Sequence, residues 1–452
     1  MDQLATLVSQ VSDFVWNNLL LYILVLTGII FSIRLKFIQV RKFGEGMRRV
    51  FGGINLFGKQ ADKDGMSSFQ ALATAIAAQV GTGNIAGCAT ALISGGPGAI
   101  FWMWLSAFFG MATIYGEAVL AQKFKTRSET GEVIGGPVYY IRQAFKGGFG
   151  KFLAGFFAVA IILALGLMGN MVQSNSIGDA FYNAFGVNKL IVGIIIAAIA
   201  AFIFLGGMKR IASVTEKMVP IMAALYIVGS LVVIIANIKN IPNVFYQIFV
   251  GAFNPTAVLG GAAGITVKAA MRFGVARGLF SNEAGMGSTP HAHAVAKVDK
   301  PEEQGIVAMI GVFLDTFVVL TLTALVILST NSLGSGAEGV ALAQLAFSKV
   351  FGNFGGVFIA ICLLFFAFST IIGWYFFGEQ NIKYLFGTKG TTPYRLIVMG
   401  FIVLGSVLQV DLVWELADMF NGLMVLPNLI ALIGLSKIVS MALRDYDANN
   451  PR

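Results

Sequence analysis

The chain has 452 residues, 57% of them hydrophobic and only 12% charged, with a formal net charge of +9. Soluble domains carry about 25% charged residues, so this composition excludes an ordinary water-soluble fold and points to lipid as the solvent. Two cysteines, Cys88 and Cys362, both inside apolar runs, exclude a disulfide framework or a cysteine-rich metal site.

A membrane-spanning helix needs about 20 mostly apolar residues. On that measure eleven spans are predicted, centred near residues 25, 80, 110, 167, 198, 225, 272, 317, 367, 401 and 424. The N-terminus has no basic region ahead of its first apolar run, so no signal peptide is expected. If the N-terminus lies outside, 25 of the 31 Lys and Arg fall on inner segments and only Lys189, Lys239 and Lys349 on outer ones. That bias is the positive-inside rule. It places the N-terminus outside the cell membrane and the C-terminus in the cytoplasm, and it explains the basic balance without nucleic acid.

In chain order, residues 1–66 hold one ordinary span and a basic linker, "RLKFIQVRKFGEGMRRVFGG", read as an amphipathic segment on the membrane surface. Residues 67–240 and 241–440 each hold five spans, and 441–452 form a cytoplasmic tail. An odd number of spans per half sets the two halves in opposite orientation, an inverted repeat. The first span of the first half contains "AAQVGTGNIAG", Ala77 to Gly87. Glycine costs a helix about 1 kcal/mol relative to alanine, and free backbone groups in lipid cost several kcal/mol each. Such a stretch persists only where something fills it. The second half carries a matching interruption in "GGAAGITVKAAMRFGVARGLFSNEAGMGSTP", Gly260 to Pro290. Interrupted helices at corresponding places in two halves point to a transporter binding site. Their unwound amides attract a carboxylate, and their carbonyls attract an ammonium group or a small cation.

The stretch "GGPGAIFWMWLSAFFG", Gly95 to Gly110, resembles the diagnostic motif of the alanine/glycine:cation symporter family, and "SNEAGMGSTPHAHA", Ser281 to Ala294, is similar to that family too. The resemblance implies a leucine-transporter-type fold: all-α, a 5+5 inverted repeat with one extra N-terminal helix. It also implies sodium-driven uptake of small neutral amino acids, with alanine and glycine as the expected substrates. The FWMW block itself is expected to anchor and pack, not to bind.

Carried over by position, the resemblance makes the amides of Thr82 and Gly83 face the substrate carboxylate. The carbonyls of Ala77 and Val80 and the hydroxyls of Ser369 and Thr370 face a sodium ion. Gln79 departs from the small residue of the fold's pattern and is a candidate to bond the substrate. "MRFGVARG" is taken as the second break, with Phe273 as lid or wall and Gly274 giving flexibility. Helical spacing places Phe366, Thr370 and Trp374 on one face, where two large rings leave room for a methyl group. Trp374 serves equally well in an interfacial aromatic belt. Ser369 and Thr370 have the alternative of bonding their own helix one turn back. Asn170, Gln173 and Ser174 share a face turned to protein or cavity, and Asn170 is a candidate to bond the substrate in the pocket, with hydrogen bonding between helices as the alternative.

Asp315 is an intramembrane carboxylate and a functional candidate by default. It would carry a proton if coupling is to protons, or pair with Lys268, Arg272 or Arg277. Glu283 is a candidate gate or cap at the inner end of the second break. His291 and His293 lie in a loop with too few companions for a metal site. No nucleotide-binding loop, catalytic nucleophile or organic-cofactor motif occurs, so neither an ATP-driven pump nor an enzyme is expected. A channel is the alternative from another class, and a pore has no need of inverted halves.

Overall fold

The computed structural model describes residues 2–54, 60–259, 264–408 and 411–449, so residues 260–263 at the head of the second interruption lie outside the described residues. Within them, eight helices are long and apolar enough to cross a membrane, or nine if one bent pair counts as a span. The extra N-terminal helix α1 is Thr6–Arg34, and the linker forms α2, Phe43–Gly52. The bent pair is α3, Ser68–Gln79, and α4, Gly83–Gly95, inclined at 49°. Then follow α5 (Gly98–Lys123), α6 (Gly147–Phe185), α7 (Lys189–Leu205) and α8 (Gly207–Ala236). The second half contains α9 (Val267–Asn282), α10 (Pro290–Ala294), α11 (Pro301–Ser329), α12 (Asn353–Phe386), α13 (Thr388–Val407) and α14 (Trp414–Asn449).

The expected count of eleven is not confirmed among the described residues. At about 1.5 Å per residue, α7 with 17 residues and α9 with 16 fall short of a hydrocarbon core of about 30 Å. The last helix runs on to Asn449, through the residues expected as a separate tail. The bundle wears its apolar side chains outward, with Phe202, Leu205 and Ile235 more than 60% exposed. A water-soluble monomer does not present patches of that extent. The protein is a multi-pass membrane protein.

Each terminus of α3 has a local cause. Ser67 and Gln70 form a reciprocal capping box at its start, which satisfies two of the amides a helix leaves open. The end comes at Val80, whose extended backbone (ψ 92°) leaves the helix ahead of Gly81. A two-residue parallel pairing, Met66 with Ala296 and Ser67 with Lys297, ties the head of α3 to the chain after α10 in the other half. Gln122 of α5 donates to the carbonyls of His293, Ala294 and Ala296 and holds the same junction.

The linker helix α2 is bound to the end of α14. Glu45 accepts hydrogen bonds from Lys42, Arg49 and Tyr446 at 3.1, 3.0 and 2.8 Å, and Asp447 pairs with Arg41 and Lys42. Partial burial raises the Glu45 carboxyl, but bonds from Tyr446, Lys42 and Arg49 outweigh it and hold the group below its ordinary 4.5. A carboxylate depressed in the folded state stabilises above its unfolded value and loses that contribution as pH falls through the folded value. The melting temperature should therefore carry the full Glu45 contribution above about pH 4.5 and lose it progressively as pH falls below that value. Thermal melts of the wild type and Glu45→Gln should differ at pH 7 and converge as pH drops below that range. A constant gap down to pH 3 would refute the contribution.

Candidate functional site

Between α3 and α4 the backbone groups that lose helical partners are met by side chains. The amide of Gly81 donates to Asn84 Oδ1 at 2.9 Å, and the amide of Thr82 donates to Gln173 Oε1 at 3.0 Å. Gly81 is required here by contact: a Cβ would stand 2.2 Å from Thr370 Oγ1 and 3.1 Å from Gln173 Oε1. The unwound turn thus lies pressed between α6 and α12.

Against that turn α12 presents the two hydroxyls. Ser369 Oγ lies 3.2 Å from the carbonyl of Ala77, and Thr370 Oγ1 lies 3.0 and 3.4 Å from the carbonyls of Ala77 and Val80. Both also reach back to the carbonyl of Phe366, at 2.8 and 3.0 Å. The two readings of these hydroxyls coexist in one cluster. Three carbonyls and two hydroxyls converge, yet the hydroxyls own only two protons. An oxygen set with more acceptors than donors suits a hard monovalent cation, and all five residues are buried. Sequence reasoning missed the Phe366 carbonyl as a member, although its place one turn before both hydroxyls was the available signal.

Beside this cluster lie buried polar atoms without a hydrogen-bond partner: Gln79 Oε1, Thr82 Oγ1, Asn170 Oδ1 and Gln173 Nε2. Each such atom costs about 1–3 kcal/mol if left unmet, and four around one helix break mark a place for a polar ligand. Gln79 Nε2 donates to the carbonyl of Asn282 at 2.7 Å, joining the first break to the end of α9. Asn170 Nδ2 bonds Gly166 of its own helix, while Ser174 bonds Ile402 of α13 and so serves packing. Phe280 lies against the first break, where its ring edge would touch a Cβ on Gly83 at 3.2 Å. Trp374 meets Phe280 edge-on at 5.7 Å, and Trp414 lies 5.5 Å from it.

Five expectations need correction. The second break is not "MRFGVARG": α9 is continuous from Val267 to Asn282, and the chain unwinds at Glu283, Gly285 and Gly287, all at positive φ (58°, 86° and 83°). Gly274 gives close packing, since a Cβ would sit 2.5 Å from the carbonyl oxygen of Ala99 and 2.7 Å from Trp102 Cβ. Phe273 is half-buried under the Arg272 guanidinium, at 5.2 Å, and the ring that lies against the first break is Phe280, two turns on. Phe366 turns its ring to Tyr226 at 5.1 Å, while its carbonyl meets the Ser369 and Thr370 hydroxyls. Trp374 is 1% exposed, which rules out an interfacial belt.

The acidic groups also rearrange the expectation. Asp315 makes no ion pair among the described residues: Arg272 pairs with Asp13, and Arg277 with Asp418 at 2.8 Å. The fully buried carboxylate instead accepts from Asn84 Nδ2 at 2.7 Å, from Ser281 Oγ at 3.0 Å and from Thr316 Oγ1 at 2.9 Å. Asn84 therefore bridges Asp315 to the amide of Gly81. Glu283 lies in the break itself, where its carboxylate accepts from Trp374 Nε1 and Ser288 Oγ, both at 2.5 Å. Sequence reasoning passed over Glu117, also fully buried. It accepts from the amides of Gly285 and Gly287 at 2.9 Å and from Asn428 at 2.7 Å, and so fastens the second break to α5 and α14. His291 and His293 are buried in α10, not exposed in a loop. His291 accepts from Asn381 and His293 from Gln304, and no cluster of three metal-ligating side chains occurs among the described residues.

The FWMW block packs as expected. Trp102 Nε1 donates to the carbonyl of Ala252, and Trp104 Nε1 to Thr321 Oγ1. A cleft of about 770 Å³ lies toward the α4 side of the break, lined by Thr90, Asn175, Asp179, Arg277 and Trp414 among others. Trp414, which packs against Phe280, forms part of its lining.

Two broken helices meeting at a buried, polar-lined centre are the arrangement of a secondary transporter of the leucine-transporter fold. The sodium:alanine symporter family model matches residues 1–452, and the chain belongs to that family. It is 44% identical over 439 residues to the sodium/alanine symporter AgcS of Methanococcus maripaludis, covering 96% of this chain and 95% of that protein. The amino-acid carrier protein AlsT of Bacillus subtilis is 41% identical, with 98% and 92% covered. Among solved structures, MhsT in complex with L-phenylalanine superposes with a TM-score of 0.58 at 14% identity, over 86% of this chain and 99% of that one. That last likeness concerns the fold alone.

Proposed function

We propose that this amino-acid symporter takes up small neutral amino acids, alanine and glycine, together with sodium by alternating access, with its N-terminus outside and its C-terminus in the cytoplasm. The observation that carries the reading is the convergence of the Ala77, Val80 and Phe366 carbonyls with Ser369 and Thr370 beside four unpartnered polar atoms. Sodium occupies the oxygen cluster and draws α3 onto α12. The substrate carboxylate takes the amides of Thr82 and Gly83 and the Thr82 hydroxyl, displacing Gln173 Oε1 from Thr82. Its ammonium group takes Asn170 Oδ1 and, across the break, Gln79 Oε1. The side chain points at Phe280 and Trp374. Either ligand alone leaves part of the break unmet, which ties the two binding events together.

In this reading Trp374 limits the substrate. Trp374→Ala should let valine and leucine compete with labelled alanine, with a gain in their affinity of about tenfold or more. An unchanged competition profile would remove Trp374 from the wall. Proton coupling is the second reading, and the observation in its favour is Asp315, a fully buried carboxylate with only neutral donors around it.

A further inference from the structure

Trp374 is gripped at both ends. Its five-membered ring is fixed by the bond from Nε1 to Glu283 Oε1, and Glu283 is itself fixed by Ser288 Oγ on its other oxygen. Its six-membered ring lies on the backbone of α6 at Gly169, where a Cβ would stand 2.5 Å from Cζ3 and 2.7 Å from Cε3. Phe280 closes the remaining edge at 5.7 Å and 83°. An indole held at its N–H, its far edge and its side cannot change rotamer without stranding a buried donor or striking a backbone.

We propose that Gly169 and Glu283 are positioning residues for substrate specificity: together they set the depth of Trp374, and through it the largest side chain the site admits. The proposal rests on the reading that Trp374 and Phe280 wall the amino-acid site. Gly169 is not needed for turning the chain, because its backbone is right-handed helical (φ −60°, ψ −43°) and any residue could adopt it. A Cβ there would meet the indole first, at 2.5 Å, and the Ala164 carbonyl oxygen at 2.9 Å, so the indole is the nearest group that the missing side chain accommodates. Glu283 sits at positive φ, where glycine or asparagine is the easier choice. A carboxylate kept there, with an indole N–H on one oxygen and a hydroxyl on the other, serves to hold those two groups. The clamp joins α6 of the first half to the second break and α12 of the second half, so the width of the pocket is tied to the packing of the two halves.

The test is uptake of labelled glycine and alanine side by side into proteoliposomes, with Vmax/KM measured for each. Gly169→Ala pushes the indole toward the substrate, so the alanine value should fall about tenfold relative to that of glycine. Gly169→Ala with Trp374→Phe should restore the ratio, a rescue that a mere folding defect would not show. On the other jaw, Glu283→Gln keeps an acceptor for the indole and should keep the ratio. Glu283→Leu strands the N–H and should let valine and leucine compete at about tenfold lower concentrations. An unchanged alanine-to-glycine ratio in Gly169→Ala, or a shift the double variant does not reverse, would overturn the clamp. If Gly169→Ala fails to fold, equal side-chain limits in the Gln and Leu variants of Glu283 would overturn it as well. Failure of the wild type to transport either amino acid would instead overturn the function on which the clamp depends.

Discussion

Thr370→Ala is expected to raise the sodium concentration for half-maximal alanine uptake by about ten- to a hundredfold, the equivalent of about 1.5–3 kcal/mol for a lost bond to a charged group. Among the described residues, Thr370 Oγ1 is the one hydroxyl within 3.5 Å of both carbonyls of the first break, Ala77 and Val80. Ser369 reaches only Ala77 of that pair, so Ser369→Ala should cost less. Thr370→Ser keeps the oxygen and should stay within a few-fold of the wild type, although the β-methyl packing is lost. Sodium titrations of uptake in the three variants check the order. Equal sodium dependence in Thr370→Ala and the wild type would show that the oxygen cluster is not where the cation sits.

Asp315→Asn is expected to lower alanine uptake at least tenfold while leaving it driven by sodium. The carboxylate has three donors directed at it, from Asn84, Ser281 and Thr316. An asparagine places an amide N–H₂ against at least one of them and leaves a buried donor unpaired, at a cost of about 1–3 kcal/mol. The damage spreads to the substrate site through Asn84, whose other end holds the amide of Gly81. Asp315→Leu strands Asn84 altogether and should be worse than asparagine. Retained sodium drive in Asp315→Asn separates a positioning carboxylate from a proton carrier. Loss of all response to sodium, with the protein still folded and binding alanine, would assign coupling to Asp315.

What was legible in the sequence was what a local rule could reach. Gly81 to Asn84 declared themselves because glycine and polar residues in the middle of an apolar span admit few explanations. Ser369 and Thr370 stood out for the same reason, and the structure brings them to the carbonyls assigned to them. The second break was harder because that segment holds several glycines with different duties. Gly274 provides close approach to α5, whereas Gly285 and Gly287 provide positive φ, and composition does not separate the two. Phe366 was misplaced by helix geometry. Positions eight apart on an α-helix differ by about 80° around the axis, so Phe366 and Trp374 face different neighbours although each lies near the face of Thr370. The partners of Arg272 and Arg277 are Asp13 and Asp418, from the extra helix and the last one. Pairs so remote in sequence follow from the packing of the bundle, and the chain alone offers no means of matching them. Glu117 was passed over because one acidic residue near the end of a span reads as a solvated end, and only the packed loop at Gly285 reveals its use.

The most direct test of the central claim is accumulation of labelled alanine in proteoliposomes, under an inward sodium gradient in one set and an inward proton gradient in the other. The account predicts concentrative uptake with sodium alone, and its loss when the sodium gradient is collapsed. Accumulation with protons alone would contradict it and move coupling from Ser369 and Thr370 to a carboxylate, with Asp315 the first to be examined.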